Sequence, residues 1–256
     1  MKAVILAGGM GTRLREETEF RPKPMVEIGG RPIIWHIMKT LSCQGINDFV
    51  ICLGYKGDDI KDFFINYEAR THDITVKLGE NEGLVQHSDT PTENWNVTLV
   101  NTGATTMTGG RINRIKKYVA GERFLCTYGD GVANIDLDSL VEFHKGHGKT
   151  ATVTSVRPTN RFGTMQTDEN NSVTEFVEKP AVELRVNGGY FVFEPSIFKY
   201  LSDESILEKE PLEELSRSGE LMAYMHDGFW QPMDTYRESI QLNELWDTNQ
   251  APWKIW

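Results

Sequence analysis

Cysteine is scarce. Cys43, Cys52 and Cys126 are the whole complement, odd in number and without a CxxC pair, which argues against a disulfide framework and a thiolate zinc site. All three read as small buried apolar residues. Long hydrophobic runs are missing as well. No window approaches the roughly 18 apolar residues that a membrane helix needs. The opening MKAVILAGG holds too short an apolar stretch for a secretory leader, and no cleavage site follows. The expectation is a cytosolic protein with no membrane partner. Positive charge is in deficit: 27 Lys and Arg against 37 Asp and Glu give a net charge of -10. Such a chain is a poor nonspecific partner for nucleic acid. It can hold small phosphates only where local cations, backbone amides or a metal override the global sign. Repeats, low-complexity tracts and long linkers are absent. His36, His72, His87, His144, His147 and His226 show no HExxH-type spacing and read as structural or solvated.

What remains is a chain of 256 residues, 39% hydrophobic, with 12 Phe, 8 Tyr and 6 Trp, enough to bury one large α/β core. Lys2–Leu6, Asp48–Leu53, Asn96–Val100, Phe124–Thr127 and Ala151–Arg157 read as strands, rich in β-branched and apolar residues. Ile33–Leu41, preceded by Pro32, reads as a helix, as do Asp58–Ala69 and Leu137–His147. This alternation predicts an α/β fold with a mostly parallel sheet flanked by helices. After residue 157 the pattern changes. Met165–Thr167, Val173–Glu178 and Tyr190–Phe193 suggest antiparallel strands, and Pro211–Ser218 and Tyr236–Thr248 suggest helices. One domain, 1–256, is the simplest reading, with a nucleotide half to about 157 and a smaller β-rich substrate half from about 158 that includes the C-terminal helices.

The first chemical signal is Leu6-Ala7-Gly8-Gly9-Met10-Gly11-Thr12-Arg13-Leu14. Three glycines after a buried strand allow close backbone approach, and their amides can converge on phosphate oxygens. Arg13 adds forked donors. The spacing is neither the dinucleotide GxGxxG nor the P-loop pattern, and a glycine turn alone also reads as a plain strand-to-helix connection. Lys23, set between Pro22 and Pro24, is held in a stiffened segment suited to meeting a phosphate.

GGMGTRL followed by KPMVEIGGRPIIWH resembles the sugar-1-phosphate nucleotidylyltransferases, and the resemblance runs along nearly the whole chain. It implies a Rossmann-like, nucleotide-diphospho-sugar transferase type of mixed sheet. Tyr128-Gly129-Asp130-Gly131 falls where the family places a metal-binding Asp. Glu178-Lys179-Pro180 is similar to its sugar-phosphate motif, and Asn187-Gly188-Gly189-Tyr190 to its sugar-pocket turn. Trp230-Gln231-Pro232-Met233-Asp234-Thr235 is similar to its W-x-D-T segment, with a longer stretch between Trp and Asp. Trp95–Gly103, Met107–Arg111, GFWQPMDT and APWKIW resemble the branch that joins CTP to glucose 1-phosphate and feeds dideoxy-sugar synthesis for O-antigen and other surface polysaccharide. A uridylyl or thymidylyl base choice, or a non-catalytic nucleotide-sugar sensor, are the competing readings. The resemblance further implies a homo-oligomer, a hexamer in this branch.

Nucleotidyl transfer joins two polyanions by in-line attack of a sugar-phosphate oxygen on the α-phosphorus, with pyrophosphate leaving. Hard carboxylates suit Mg²⁺, which binds through one or two of them plus phosphate. Asp130 and Asp234 are the candidate metal ligands, although an Asp-Gly turn residue and a helix N-cap are their plainer readings. Arg13 and Lys23 complete the catalytic set, Arg13 beside the leaving pyrophosphate and Lys23, by the resemblance, on the nucleotide's phosphates. Leu6 to Arg13, Lys23, Thr105, Gly109, Arg111 and Tyr128 are expected around the nucleotide. Arg111 is open to acting in a neighbouring subunit. Glu178, Lys179, Gly188, Gly189 and Trp230 are expected around the sugar phosphate, Trp230 having a core role as its alternative.

Overall fold

The computed structural model describes residues 1–11, 14–79, 83–87, 93–158, 163–178 and 184–256. Its centre is a seven-stranded sheet built from β1 (Lys2–Ala7), β2 (Asp48–Leu53), β3 (Asn96–Asn101), β4 (Phe124–Tyr128), β5 (Ala151–Val156), β6 (Val186–Phe193) and β7 (Leu221–His226). Their spatial order is β7-β5-β6-β4-β1-β2-β3. Six strands run the same way; β6 alone is reversed, inserted between β4 and β5. The mostly parallel mixed sheet expected from the sequence is the sheet observed.

Side-chain alternation along each strand feeds two cores, one on either face. On β1, Ala3, Ile5 and Ala7 join one cluster while Val4 and Leu6 join the other. Helices α1 (Ile33–Ser42), α2 (Gly57–Ile65), α3 (Thr108–Arg114), α4 (Leu137–His147), α5 (Glu210–Arg217) and α6 (Tyr236–Asp247) cover the sheet. Ile33, Ile37, Met38 and Leu41 of α1 pack into the first core with Leu242 of α6. Ile112 of α3 and Leu215 of α5 pack into the second. Cys52 and Cys126 are buried there as expected, but Cys43 is exposed, because it caps the C-terminus of α1 beyond its apolar stripe. The helix expected over 58–69 is interrupted at Asn66 and resumes as a short turn, Tyr67–Thr71.

β1 lies between β4 and β2, so the chain winds in opposite directions from its carboxyl end. That is where open α/β sheets form a ligand crevice. The glycine loop leaves β1 and Gly129-Asp130 leaves β4 at this edge, tied together by the Gly129 amide, which donates to the Leu6 carbonyl at 3.0 Å.

Candidate active site

Asp130 and Asp234, 104 positions apart, are brought together by a two-stranded ribbon. Gly131–Ala133 pairs antiparallel with Trp230–Pro232, and the Met233 amide then donates to the Asp130 carbonyl at 2.8 Å. The stretch between Trp230 and Asp234 is therefore this second strand plus Met233, which is fully buried. Asp234 stops one residue short of α6. Thr235 is the N-cap, its hydroxyl accepting from the Glu238 amide, and the Glu238 carboxylate accepts from the Thr235 and Asp234 amides at 2.9 and 2.8 Å. This capping box leaves the Asp234 carboxylate turned to the crevice, and the plain N-cap reading of Asp234 passes to Thr235.

One ammonium joins the pair. Lys23, in the tight turn Lys23–Met25 and only 8% exposed, donates to Asp130 Oδ2 at 2.6 Å and Asp234 Oδ1 at 2.5 Å. Burial works against its charge, and the two carboxylates outweigh it, holding the lysine above its ordinary pKa. Both carboxylate oxygens thus reach a single cation. Among the described residues no group of three or more His, Cys, Asp and Glu side chains is placed to hold a metal. Two convergent carboxylates with the remaining positions left to phosphate and water is the donor set that suits Mg²⁺.

Two adjoining clefts meet at Tyr128 and Asp130. The first, about 330 Å³, is lined by the β1 loop, Lys23 and the start of α3. The second, about 270 Å³, is lined by Asn187 to Tyr190, Trp230 and Asp234. Leu6, Ala7, Gly8, Gly9 and Gly11 line the first, whereas Met10 is 61% exposed and lies outside the lining. Gly11 has φ +61° and Gly189 φ +78°, so a side chain at either is strained, and a Cβ on Gly189 would sit 2.6 Å from the Tyr128 ring. In the second cleft the Trp230 indole donates to the Gly188 carbonyl at 2.7 Å, which sets its ring as a wall of the cleft.

Other expected residues fall elsewhere. Arg111 borders the first cleft, but its guanidinium is buried and donates to the carbonyls of Leu53, Gly103, Gly8 and Ala104 and to the Thr102 hydroxyl. It fastens the ends of β1, β2 and β3, and burial lowers its pKa. Gly8 lies so close that a Cβ would meet the guanidinium carbon at 2.2 Å. Thr105 is exposed, and its neighbours Thr106, Met107 and Thr108 line the cleft instead. Gly109 packs against Ser205. Glu178 is exposed just beyond the hairpin Thr164–Thr167/Val173–Val177 and does not line either cleft. Thr12, Arg13 and Lys179 lie outside the described residues. Pro24 and Asn187 also line the clefts; their positions inside KPM and NGGY were the signal that would have named them.

The family model described as nucleotidyl transferase matches residues 2–237. The glucose-1-phosphate cytidylyltransferase of Salmonella typhi is 52% identical, with all of both chains covered. A probable glucose-1-phosphate cytidylyltransferase of Bacillus subtilis is 44% identical, again with both chains fully covered. The crystal structure of HddC from Yersinia pseudotuberculosis complexed with GMP-PN superposes with a TM-score of 0.71 at 25% identity, over 96% of this chain and 99% of that one. Two acidic loops joined at one lysine, beside a glycine turn at the sheet's switch point, sit in a chain that belongs to the nucleotidyl transferase family.

Proposed function

We propose that this nucleotidyltransferase condenses CTP with glucose 1-phosphate, giving CDP-glucose and pyrophosphate. The observation that carries the reading is the placement of Asp130 and Asp234 on one cation at the seam of two clefts, in a chain 52% identical throughout to a glucose-1-phosphate cytidylyltransferase. The glycine-lined cleft takes the nucleotide, and the cleft walled by Trp230 and Gly189 takes the sugar phosphate. An α-phosphate at the seam lies within reach of both.

Asp130 and Asp234 would hold Mg²⁺, which supplies positive charge to the phosphates. The glycine turn and Lys23 bring donors and a cation to the triphosphate, and Arg13 steadies the departing pyrophosphate. Lys179 acts on the sugar phosphate, whereas Glu178, exposed and lining neither cleft, is left out of the proposal. Arg111 shapes the nucleotide side from beneath, and Thr12 is assigned to the nucleotide by the family resemblance. No protein nucleophile is needed, because positioning and charge neutralisation suffice for direct displacement. The reading extends to a homo-oligomer, a hexamer by family resemblance, working in the cytosol ahead of dideoxy-sugar synthesis. Sedimentation velocity checks the assembly.

Pyrophosphate release measured with Mg²⁺, glucose 1-phosphate and each nucleoside triphosphate tests the proposal. The highest kcat/KM is expected with CTP. A preference for UTP or dTTP would reassign the base, and no release by a folded preparation would favour the sensor reading.

A further inference from the structure

Glu208 stands outside both clefts and in no motif, yet it holds two residues that line them. Its carboxylate accepts a hydrogen bond from the Tyr128 hydroxyl and another from the Thr108 hydroxyl, the latter at 2.6 Å. Thr108 in turn accepts from the Leu207 amide at 2.9 Å, so the segment carrying Glu208 is bound to the start of α3 from two directions. Tyr128 lines both clefts. Its ring rests on Gly189 on the sugar side, where no Cβ fits, and lies T-shaped to Phe191 with ring centroids 6.1 Å apart. Burial first, then the Glu208 charge, raises the Tyr128 pKa, so the phenol is a fixed donor. A phenol hydrogen-bonded to a carboxylate is a charge-assisted contact, stronger than a neutral one.

We propose that Glu208 is a positioning residue for both substrates. It pins the Tyr128 phenol to the first turn of α3 and so fixes the partition between the nucleotide and sugar-phosphate clefts. Loss of the carboxylate frees the ring to turn about its side-chain bonds, which blurs both clefts at once. The inference rests on the assignment of the two clefts given above.

The test is calorimetric binding of CTP and of glucose 1-phosphate, with steady-state KM and kcat, for wild type, Glu208→Ala, Glu208→Gln, Tyr128→Phe and the double variant Glu208→Ala/Tyr128→Phe. Glu208→Ala is expected to weaken both ligands about tenfold, the worth of one hydrogen bond to a charged group, with kcat far less affected. Glu208→Gln, which retains an acceptor, should weaken them less. The double variant should lose less than the sum of the two single losses, since the Tyr128–Glu208 contact cannot be lost twice. Glu208 is exposed and outside the core, so Tm should hold in Glu208→Ala and Glu208→Gln. Unchanged binding of both ligands in Glu208→Ala, or additive losses in the double variant, would overturn the inference alone. Failure of the wild-type protein to bind either ligand would overturn the cleft assignment and the inference with it.

Discussion

Asp130→Asn and Asp234→Asn each remove one negative charge at nearly constant volume. Each is expected to cut pyrophosphate release by orders of magnitude while circular dichroism and Tm stay near wild type; near-normal Mg²⁺-dependent rates would take that residue out of the site. Lys23→Met bears on the same point from the other side. The Lys23 ammonium and a divalent ion both seek the oxygens Asp130 Oδ2 and Asp234 Oδ1. Removing the ammonium should tighten Mn²⁺ binding in a nucleotide-free titration followed by electron paramagnetic resonance, even as turnover falls. The acidic pair and the lysine were legible in sequence as separate motifs, though not as one three-residue clamp. That clamp depends on the Gly131–Ala133/Trp230–Pro232 ribbon, too short and too proline-bound to read as strands. Arg111 was read from the sequence as a cation near the nucleotide, and it borders the glycine-lined cleft. Its turn toward five oxygen atoms at the strand ends was not legible, because burial of a guanidinium without a carboxylate runs against expectation.

At the level of elements, the turn from strand to helix at Thr235 bears most directly on function. Thr235→Ala removes the acceptor for the Glu238 amide and is expected to cost about 1 kcal/mol, seen as a fall in Tm of roughly 2–4 °C for a chain of this size. Turnover should fall further than stability, since Glu238 also accepts from the Asp234 amide and a loosened box lets that carboxylate drift. Strands with dense β-branched content, such as β2 and β5, and helices with an apolar stripe, such as α1 and α4, were readable within a residue or two. Helix α3 was not, because TGGRINR places two glycines inside it; it forms where Gly109 and Gly110 can press against Ser205 and Asp203. Strand β7, LMAYMH, lacks clean alternation and is defined by pairing with β5.

Across the whole molecule, two histidines tie distant parts together while uncharged. His36 donates to the Ile28 carbonyl at 2.8 Å and accepts from the Trp253 indole at 3.4 Å. His144 joins the Thr152 hydroxyl to Glu194. Burial pulls both down from 6.5 to about 4. The unfolded chain therefore takes up more protons than the folded one between those values, and stability drains as pH falls from about 6.5 toward 4, on the order of 3 kcal/mol for each histidine. Urea midpoints at pH 7 and pH 4.5 should show the loss, and His144→Gln should shrink it. The segment that meets His36 also governs when the first core can close. Trp253 is 0% exposed, stacks on Phe229 at 5.5 Å and carries the carbonyl that Thr40 caps at 3.2 Å. Most of the sequence separates the glycine turn from the second acidic loop and from this indole. Closure of that core thus waits on a distant indole, and removing the Trp253 side chain leaves a hole beside α1.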